Sequence, residues 1–417
     1  MMDKESRLLE NIFSMVTLRG MEYILAFLLV PYLLRTLGPE KYGSIAFMQG
    51  IIAYFTLVIN YGFNITAPKD IALAKFNQLS QIFSSYFWGT VILGVGCSIV
   101  FGIGYIILYT IFHWTLDIPL FFACYMTAVG MVVFPIWFFQ GIQQMRYITI
   151  FNFLGRFGAM LLLFFLIQSP EDYILAAFLQ SCTTVFAGIL SWIIIRKNWP
   201  YILCKPVKSD VISVYKKGWQ IFLSTLAVNL YTSSDIVILG ILTNSTIVGY
   251  YSGAEKLISC VRRGISAVSD AIYPYISKKF KISKSEAYQF LRKQLVIYTI
   301  SGILCGMIIL FLSPKIIPWL LGEKYISSIS LIQVMAFVPL VVAISTVFGY
   351  ETMLPLGMQK KYSQILIIAS ILNLILIVPS ILWKEALGVA LCVFVTETFI
   401  TLLMGLHLYK NGILCKK

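Results

Sequence analysis

The sequence predicts an all-α polytopic membrane protein of about twelve transmembrane helices, on three observations. The chain is 59% hydrophobic and only 12% charged, with mean hydropathy +0.86, against about 25% charged residues in ordinary soluble domains. Long apolar runs recur along all 417 residues and leave no space for a soluble domain of useful size. The bases sit in short loops and form no continuous basic face, so the net charge of +14 reads as membrane topology, not nucleic-acid binding.

The polar opening MMDKESRLLE leads straight into a long apolar segment, with no short h-region or small-residue cleavage site, which predicts an uncleaved first helix. The expected spans are 11–36, 44–65, 82–112, 118–139, 147–168, 172–195, 219–242, 249–274, 295–313, 328–350, 363–382 and 386–408. Each is close to or above the roughly 20 residues that cross a hydrocarbon core. Pro39, Pro119, Pro170 and Pro314 are read as short turns on one face. Twelve crossings return both termini to the same side. That side carries 22 of the 32 Lys and Arg residues, with clusters at 196–217 and 278–293. The opposite side carries five (Arg35, Lys41, Lys315, Lys324, Lys384), and five more lie within spans. The positive-inside rule then places both termini in the cytoplasm. The eight cysteines are scattered, mostly in apolar spans and without a CxxC pair, so they suggest neither a disulfide framework nor a metal site.

An internal echo divides the chain. Leu37-Gly38 and Tyr42-Gly43 link spans one and two, while Leu239-Gly240 and Val248-Gly249-Tyr250 link spans seven and eight. Six spans return the chain to its starting side. Two parallel six-helix bundles are therefore expected, 1–204 and 205–417, joined by the basic loop at 196–218.

Span eight is the most polar of the set. At 100° per residue, Glu255, Ser259, Arg262, Ser266 and Asp270 fall on one stripe, flanked by Ser252 and Arg263, with aliphatic residues over the remainder. A charge at the centre of a spanning helix costs about 2.5–3.5 kcal/mol on insertion scales, so the stripe should face a polar interior. Other spans contribute similar faces: Gln49, Thr56, Asn60 and Asn64 on span two, and Thr149, Asn152 and Arg156 on span five. Thr225, Asn229 and Thr232 lie on span seven near Asp235, and Glu397 lies on span twelve. On the first span Arg19 and Glu22, three apart, face the same way. The pattern fits a cavity between bundles. For the uncharged residues, hydrogen-bonding glue between helices is the simpler reading.

Motifs of chemistry are absent from the sequence. There is no GK dipeptide and hence no P-loop, no HExxH and no DxD-type acidic pair, and the two histidines, His113 and His407, fall near span ends. No cofactor is implied, and enzyme readings start low.

The stretch NIFSMVTLRGMEYILAFLLVPYLLRTLGPEKYGSIAFMQGIIAYFTLVINYGFNITAPKDIA resembles the opening of the bacterial polysaccharide-transporter family. In particular it is similar to the Wzx-type O-antigen flippases of the multidrug/oligosaccharidyl-lipid/polysaccharide exporter superfamily. LRTLGPEKYG, YGFN and GYYSGAEKL carry the resemblance, and length, span number and termini agree across the chain. It implies two six-helix bundles around a central cavity open alternately to each side, in the bacterial inner membrane. The implied substrate is an oligosaccharide unit on undecaprenyl pyrophosphate, moved from the cytoplasmic to the periplasmic leaflet. Membrane lipid, and the polymerase and chain-length proteins of the same pathway, are the implied partners, with no nucleic acid.

The residues suit such a substrate. Arg19, Arg156, Arg262 and Arg263 lie near the middle of their spans, and arginine can engage two phosphate oxygens at once. With Asn60 and Asn64 they form the expected substrate-binding set. Neutralisation of acids on adjacent helices is the alternative, strongest for Arg19 and weakest for Arg156, which has no acid on its own helix. Without an ATP motif, vectorial transport must draw on a gradient of protons or sodium. Glu22, Glu255, Asp235 and Glu397 are the expected ion-coupling acids, since a desolvated carboxylate beside an arginine can switch protonation as a phosphate takes the arginine. Two other classes stay open: a cation-coupled exporter of drugs or another lipid-linked glycan, and a polymerase or ligase of the same pathway. A drug exporter would favour an acid-dominated cavity. An enzyme of that kind would generally need a large outer loop, which the sequence lacks.

Overall fold

The computed structural model describes residues 4–112 and 116–413; of these, the side chains of 4–19, 21–24, 26, 27, 76, 108, 112, 227, 228 and 230–232 lie outside the description. The described residues form helices and turns without a strand. Lys4–Asn60 (α1) is broken at Gly38, whose φ of 74° only glycine adopts readily, so that it doubles back into two arms. The chain continues through Phe63–Leu73 (α2), Leu79–Phe112 (α3), Ile118–Val133 (α4), Ile136–Gly141 (α5), Met145–Leu166 (α6) and Tyr173–Asn198 (α7). Lys208–Thr232 (α8), Ser234–Leu242 (α9), Ser245–Ile282 (α10), Lys284–Leu321 (α11), Ser328–Met335 (α12) and Val338–Phe348 (α13) follow. A π-helical turn, Gly349–Met353, leads to Gln359–Lys410 (α14), itself broken at Lys384–Glu385.

Counting each arm of α1 and α14, taking α2 with the second arm of α1, and joining α4–α5, α8–α9 and α12–α13 across their kinks, gives among the described residues the twelve crossings expected in two six-helix bundles. Eight stretches among the described residues are long and apolar enough to cross a membrane by length and composition alone. α10 fails that measure because of its polar stripe. On α3, Ile92, Val95, Ile99, Val100, Ile103 and Ile106 are all exposed, a surface that only lipid can cover at no cost.

Several boundaries differ from expectation. Pro314 does not mark a turn: it lies within α11, and the chain reverses at Gly322, φ 93°. α10 runs on through Pro274 to Ile282, so the segment expected as a loop at 276–293 is helical apart from Ser283, which caps α11 through the Glu286 N–H. Span two ends at Tyr61 and Gly62, with φ 45° and 77°. Span ten continues past residue 350 to Met353.

The chain separates into two compact units, 1–32 with 48–226, and 33–47 with 227–417. The first is held by an aromatic core in which Phe83 lies 5.1 Å from Phe138 and 5.3 Å from Trp137, with Tyr86, Phe63 and Phe139 fully buried around them. The Tyr32 hydroxyl donates to the Phe164 carbonyl at 3.2 Å, fixing the first arm of α1 on α6. In the second unit the two halves of the sequence echo meet. A Cβ on Gly43 would overlap the Ser245 carbonyl and lie 2.6 Å from the Gly249 nitrogen; a Cβ on Gly249 would overlap the Pro39 carbonyl. The Gly38 bend and the start of α10 thus pack backbone to backbone, through glycines that leave room for nothing else.

Candidate functional site

Each unit contains a polar cavity. In the first, α1, α4, α6 and α7 enclose about 440 Å³ lined by Gln49, Thr56, Thr127, Arg156, Gln180, Ser181 and Thr183, with aliphatic residues such as Leu25, Ile52 and Leu163. Arg156 stands halfway along α6, at membrane depth, and is the one charged group among the described lining residues. The surrounding hydroxyls and amides are neutral. The Ser181 Oγ is buried without a hydrogen-bond partner, while Thr56 and Thr183 donate to carbonyls of their own helices at 2.9 and 2.8 Å and keep acceptor capacity for the cavity. A guanidinium amid neutral hydrogen-bonding groups can hold an anionic group and the hydroxyls attached to it.

In the second unit, α9, α10 and α14 surround about 250 Å³ lined by Asp235, Tyr251, Glu255, Arg262, Asn373, Val393, Thr396 and Glu397. Arg262 donates to Glu255 at 2.9 Å and to Ser259 at 3.0 Å, and the Ser259 hydroxyl closes on the same Glu255 oxygen. Glu255, Ser259 and Arg262 of the stripe read from the sequence therefore form one hydrogen-bonded row along α10, while the Ser266 hydroxyl donates to the Arg262 backbone carbonyl and Asp270 accepts from Tyr350. Asn373 approaches Thr396 at 3.5 Å and faces Asp235, one of whose oxygens has no partner. Three carboxylates share this space with one guanidinium, so its described lining is acidic where the described lining of the first cavity carries a single cation. Such a lining suits a small cation.

Arg156 thus lies in one cavity, and Glu255, Asp235, Glu397 and Arg262 lie together in another. Arg263 is exposed on α10. Asn60 accepts the Asn64 backbone N–H at 3.3 Å across the Tyr61–Gly62 break, and neither asparagine lines a cavity described here. The side chains of Arg19, Glu22 and Thr232 lie outside the described residues. Thr149, Asn152 and Thr225 bond to carbonyls of their own helices, Met145, Ile148 and Ile221. Asn373, Thr396, Thr127 and Gln180 escaped the sequence reading; for Asn373 and Thr127 the reason is that a lone polar residue in an apolar run has no period to betray its direction. So did Glu351, which lies one residue past the expected end of span ten.

Comparison with known proteins agrees with this architecture. The sequence profile of the polysaccharide biosynthesis protein family matches residues 8–280. A protein of Escherichia coli (strain K12) named "Putative O-antigen transporter" is 28% identical over 417 residues, covering 97% of each chain. A second of that name, from Shigella dysenteriae, is 27% identical over 95% of this chain and 98% of its own. Among solved structures, the lipid II flippase MurJ in an inward closed conformation superposes with a TM-score of 0.71 over 96% of this chain and 87% of its own, at 12% identity. An inward-facing multidrug resistance MATE family transporter of the MOP superfamily gives 0.70 over 95% and 98%, at 11% identity. At these identities the structural likeness concerns the fold.

Proposed function

The chain belongs to the polysaccharide biosynthesis protein family, and from that premise we propose that it is a multi-pass flippase for a lipid-linked glycan. In its finer form the reading is transfer of an undecaprenyl-pyrophosphate-linked O-antigen unit across the bacterial inner membrane, cytoplasmic to periplasmic leaflet, by alternating access and with both termini cytoplasmic. The relatives named as O-antigen transporters support the class of cargo. The observation that carries it is the Arg156 cavity, where a cation at membrane depth is the one charged group among the described lining residues and hydroxyl and amide groups make up the rest of the polar lining. A phosphate with attached sugars cannot cross hydrocarbon unaided, and this lining offers donors for both parts while the lipid tail remains in the bilayer. Arg19, Arg262 and Arg263, with Asn60 and Asn64, complete the proposed substrate-binding set.

The acidic cavity supports a second component, coupling to a proton or sodium gradient through Asp235, Glu255 and Glu397, with Glu22 as a further candidate. Arg262 links the two functions in this reading: an anionic cargo that engaged it would release Glu255 to take up a cation. A drug exporter would also use an acidic cavity; the cationic first cavity favours the anionic cargo. The test is deletion in the host, which should leave lipid-linked units facing the cytoplasm and abolish the surface polymer. Normal polymer, or units stalled in the periplasmic leaflet, would overturn the reading. In proteoliposomes, flux should follow an imposed proton or sodium gradient, and Glu255→Gln or Glu397→Gln should remove that dependence.

A further inference from the structure

A second buried acid lies apart from both cavities. Glu351 sits in the π-helical turn Gly349–Met353, fully buried, and neither carboxylate oxygen has a hydrogen-bond partner. Among the described residues it makes no ion pair. Facing it are Gln294 of α11, 5% exposed and with both amide atoms also unpartnered, and Ser269 of α10. The Ser269 hydroxyl lies 3.2 Å from the Tyr298 hydroxyl. An isolated ionised carboxylate in such surroundings is costly enough that the group neutralises instead. One added proton resolves the whole arrangement. A neutral Glu351 donates its O–H to the Gln294 amide oxygen and accepts the amide N–H on its other oxygen, so four stranded atoms become a closed acid–amide pair.

The other ionisable groups near the turn are already engaged or carry no charge. On α10, Asp270 accepts from the Tyr350 hydroxyl at 3.1 Å and Tyr273 packs on the Tyr350 ring at 4.6 Å. On α11 there are Tyr298 and Tyr288, with Arg292 exposed; on α14 the Tyr362 ring lies against Gly349; α13 has none. A small cavity of about 40 Å³ is lined by Thr352, next to Glu351 in the same turn, with Val347, Leu291 and the exposed Arg292. It is large enough to hold water beside the turn. Single π turns inside helices concentrate at functional positions, as do ionisable residues within spans.

We propose that Glu351 is a proton-carrying site of the second unit, held as a neutral acid paired with Gln294 and deprotonated to water once in each transport cycle. This rests on the ion-coupled reading above. In the deprotonated state the carboxylate takes the Ser269 O–H and the Gln294 N–H as donors.

The test is infrared difference spectroscopy of the purified full-length protein in lipid nanodiscs, titrated from acidic to alkaline pH, alongside restoration of surface polymer in the deletion host. A carboxylic-acid carbonyl band should persist at neutral pH, vanish in Glu351→Gln and remain in Glu397→Gln. The Gln variant should insert normally yet fail to restore polymer, because a neutral amide cannot cycle its proton. Gln294→Leu, which keeps the acid, should shift the band. The proposal is overturned if the band survives Glu351→Gln, if that variant restores polymer fully, if Gln294→Leu leaves the band unmoved, or if sodium at fixed pH abolishes it. Arg156→Ala separates the two readings: it should abolish polymer and leave the band intact, whereas full polymer from Arg156→Ala would count against the flippase reading alone.

Discussion

Arg156 and Arg262 look alike in sequence, each an arginine near the middle of its span, but their described surroundings differ. Arg156 is the one charged group among the described residues lining its cavity, whereas Arg262 shares its cavity with three carboxylates and donates to Glu255 and Ser259. Arg156→Ala should therefore abolish export at normal membrane levels, and Arg156→Lys should retain a part, because lysine keeps the charge and loses the planar fork. Loss of the protein from the membrane would instead mark a packing role. Arg262 and Glu255 are both about a quarter exposed, at 26% and 21% of their side chains, so their pairing is neither negligible nor fully desolvated. A double-mutant cycle with Glu255→Gln and Arg262→Gln, read by thermal unfolding in detergent, should give a coupling of about 1 kcal/mol. A coupling indistinguishable from zero would mean the row along α10 is not a structural unit. Its period made the row visible in the sequence. Glu351 was not visible, because it follows an apolar run and precedes the polar LGMQKK, where any carboxylate reads as a solvated end.

Elements show the same division. The helix-breaking role of Gly38 and the caps Asn244 and Ser283 follow from local chemistry, since the asparagine and serine side chains satisfy the first N–H groups of α10 and α11. Prolines were less informative. Pro314 and Pro318 sit inside α11 and Pro274 inside α10, where neighbouring helices and tertiary packing tolerate the lost hydrogen bond. The π turn adds a residue to the end of span ten and rotates Glu351 inward, which no hydropathy pattern records. Glycine requirements divide by packing. Gly43→Ala or Gly249→Ala should lower stability by about 1–3 kcal/mol or more through forced backbone shifts. Gly102→Ala in α3, where a Cβ meets nothing within 4 Å, should be neutral or raise the melting temperature slightly, as helix propensity dictates. Equal effects at the three sites in a melting series would refute the close approach.

At the scale of the whole molecule, alternation of the spans predicts where reporters fused to the chain will lie. Fusions after Lys208, Lys281 and Lys361 should read cytoplasmic, and those after Asn244, Glu323 and Lys384 periplasmic; a periplasmic signal after Lys281 would break the count of crossings. The sequence by itself determined the class of molecule, the number and order of its crossings, their expected orientation, and the polar stripe of α10. These rest on hydropathy, charge and a 3.6-residue period, properties of composition and local geometry that hold whichever helices later meet. Tertiary structure alone decided which polar residues share a space. It put Arg156 and Arg262 in different cavities, gathered Asp235 of α9 with Asn373, Thr396 and Glu397 of the two arms of α14 into one acidic cavity, and brought Gln294 opposite Glu351. It also brought Gly43 against Gly249, though some two hundred residues divide them. A lone polar side chain in an apolar helix fixes only its own angle around that helix; its partner is set by how the helices pack, and packing is a property of the whole chain.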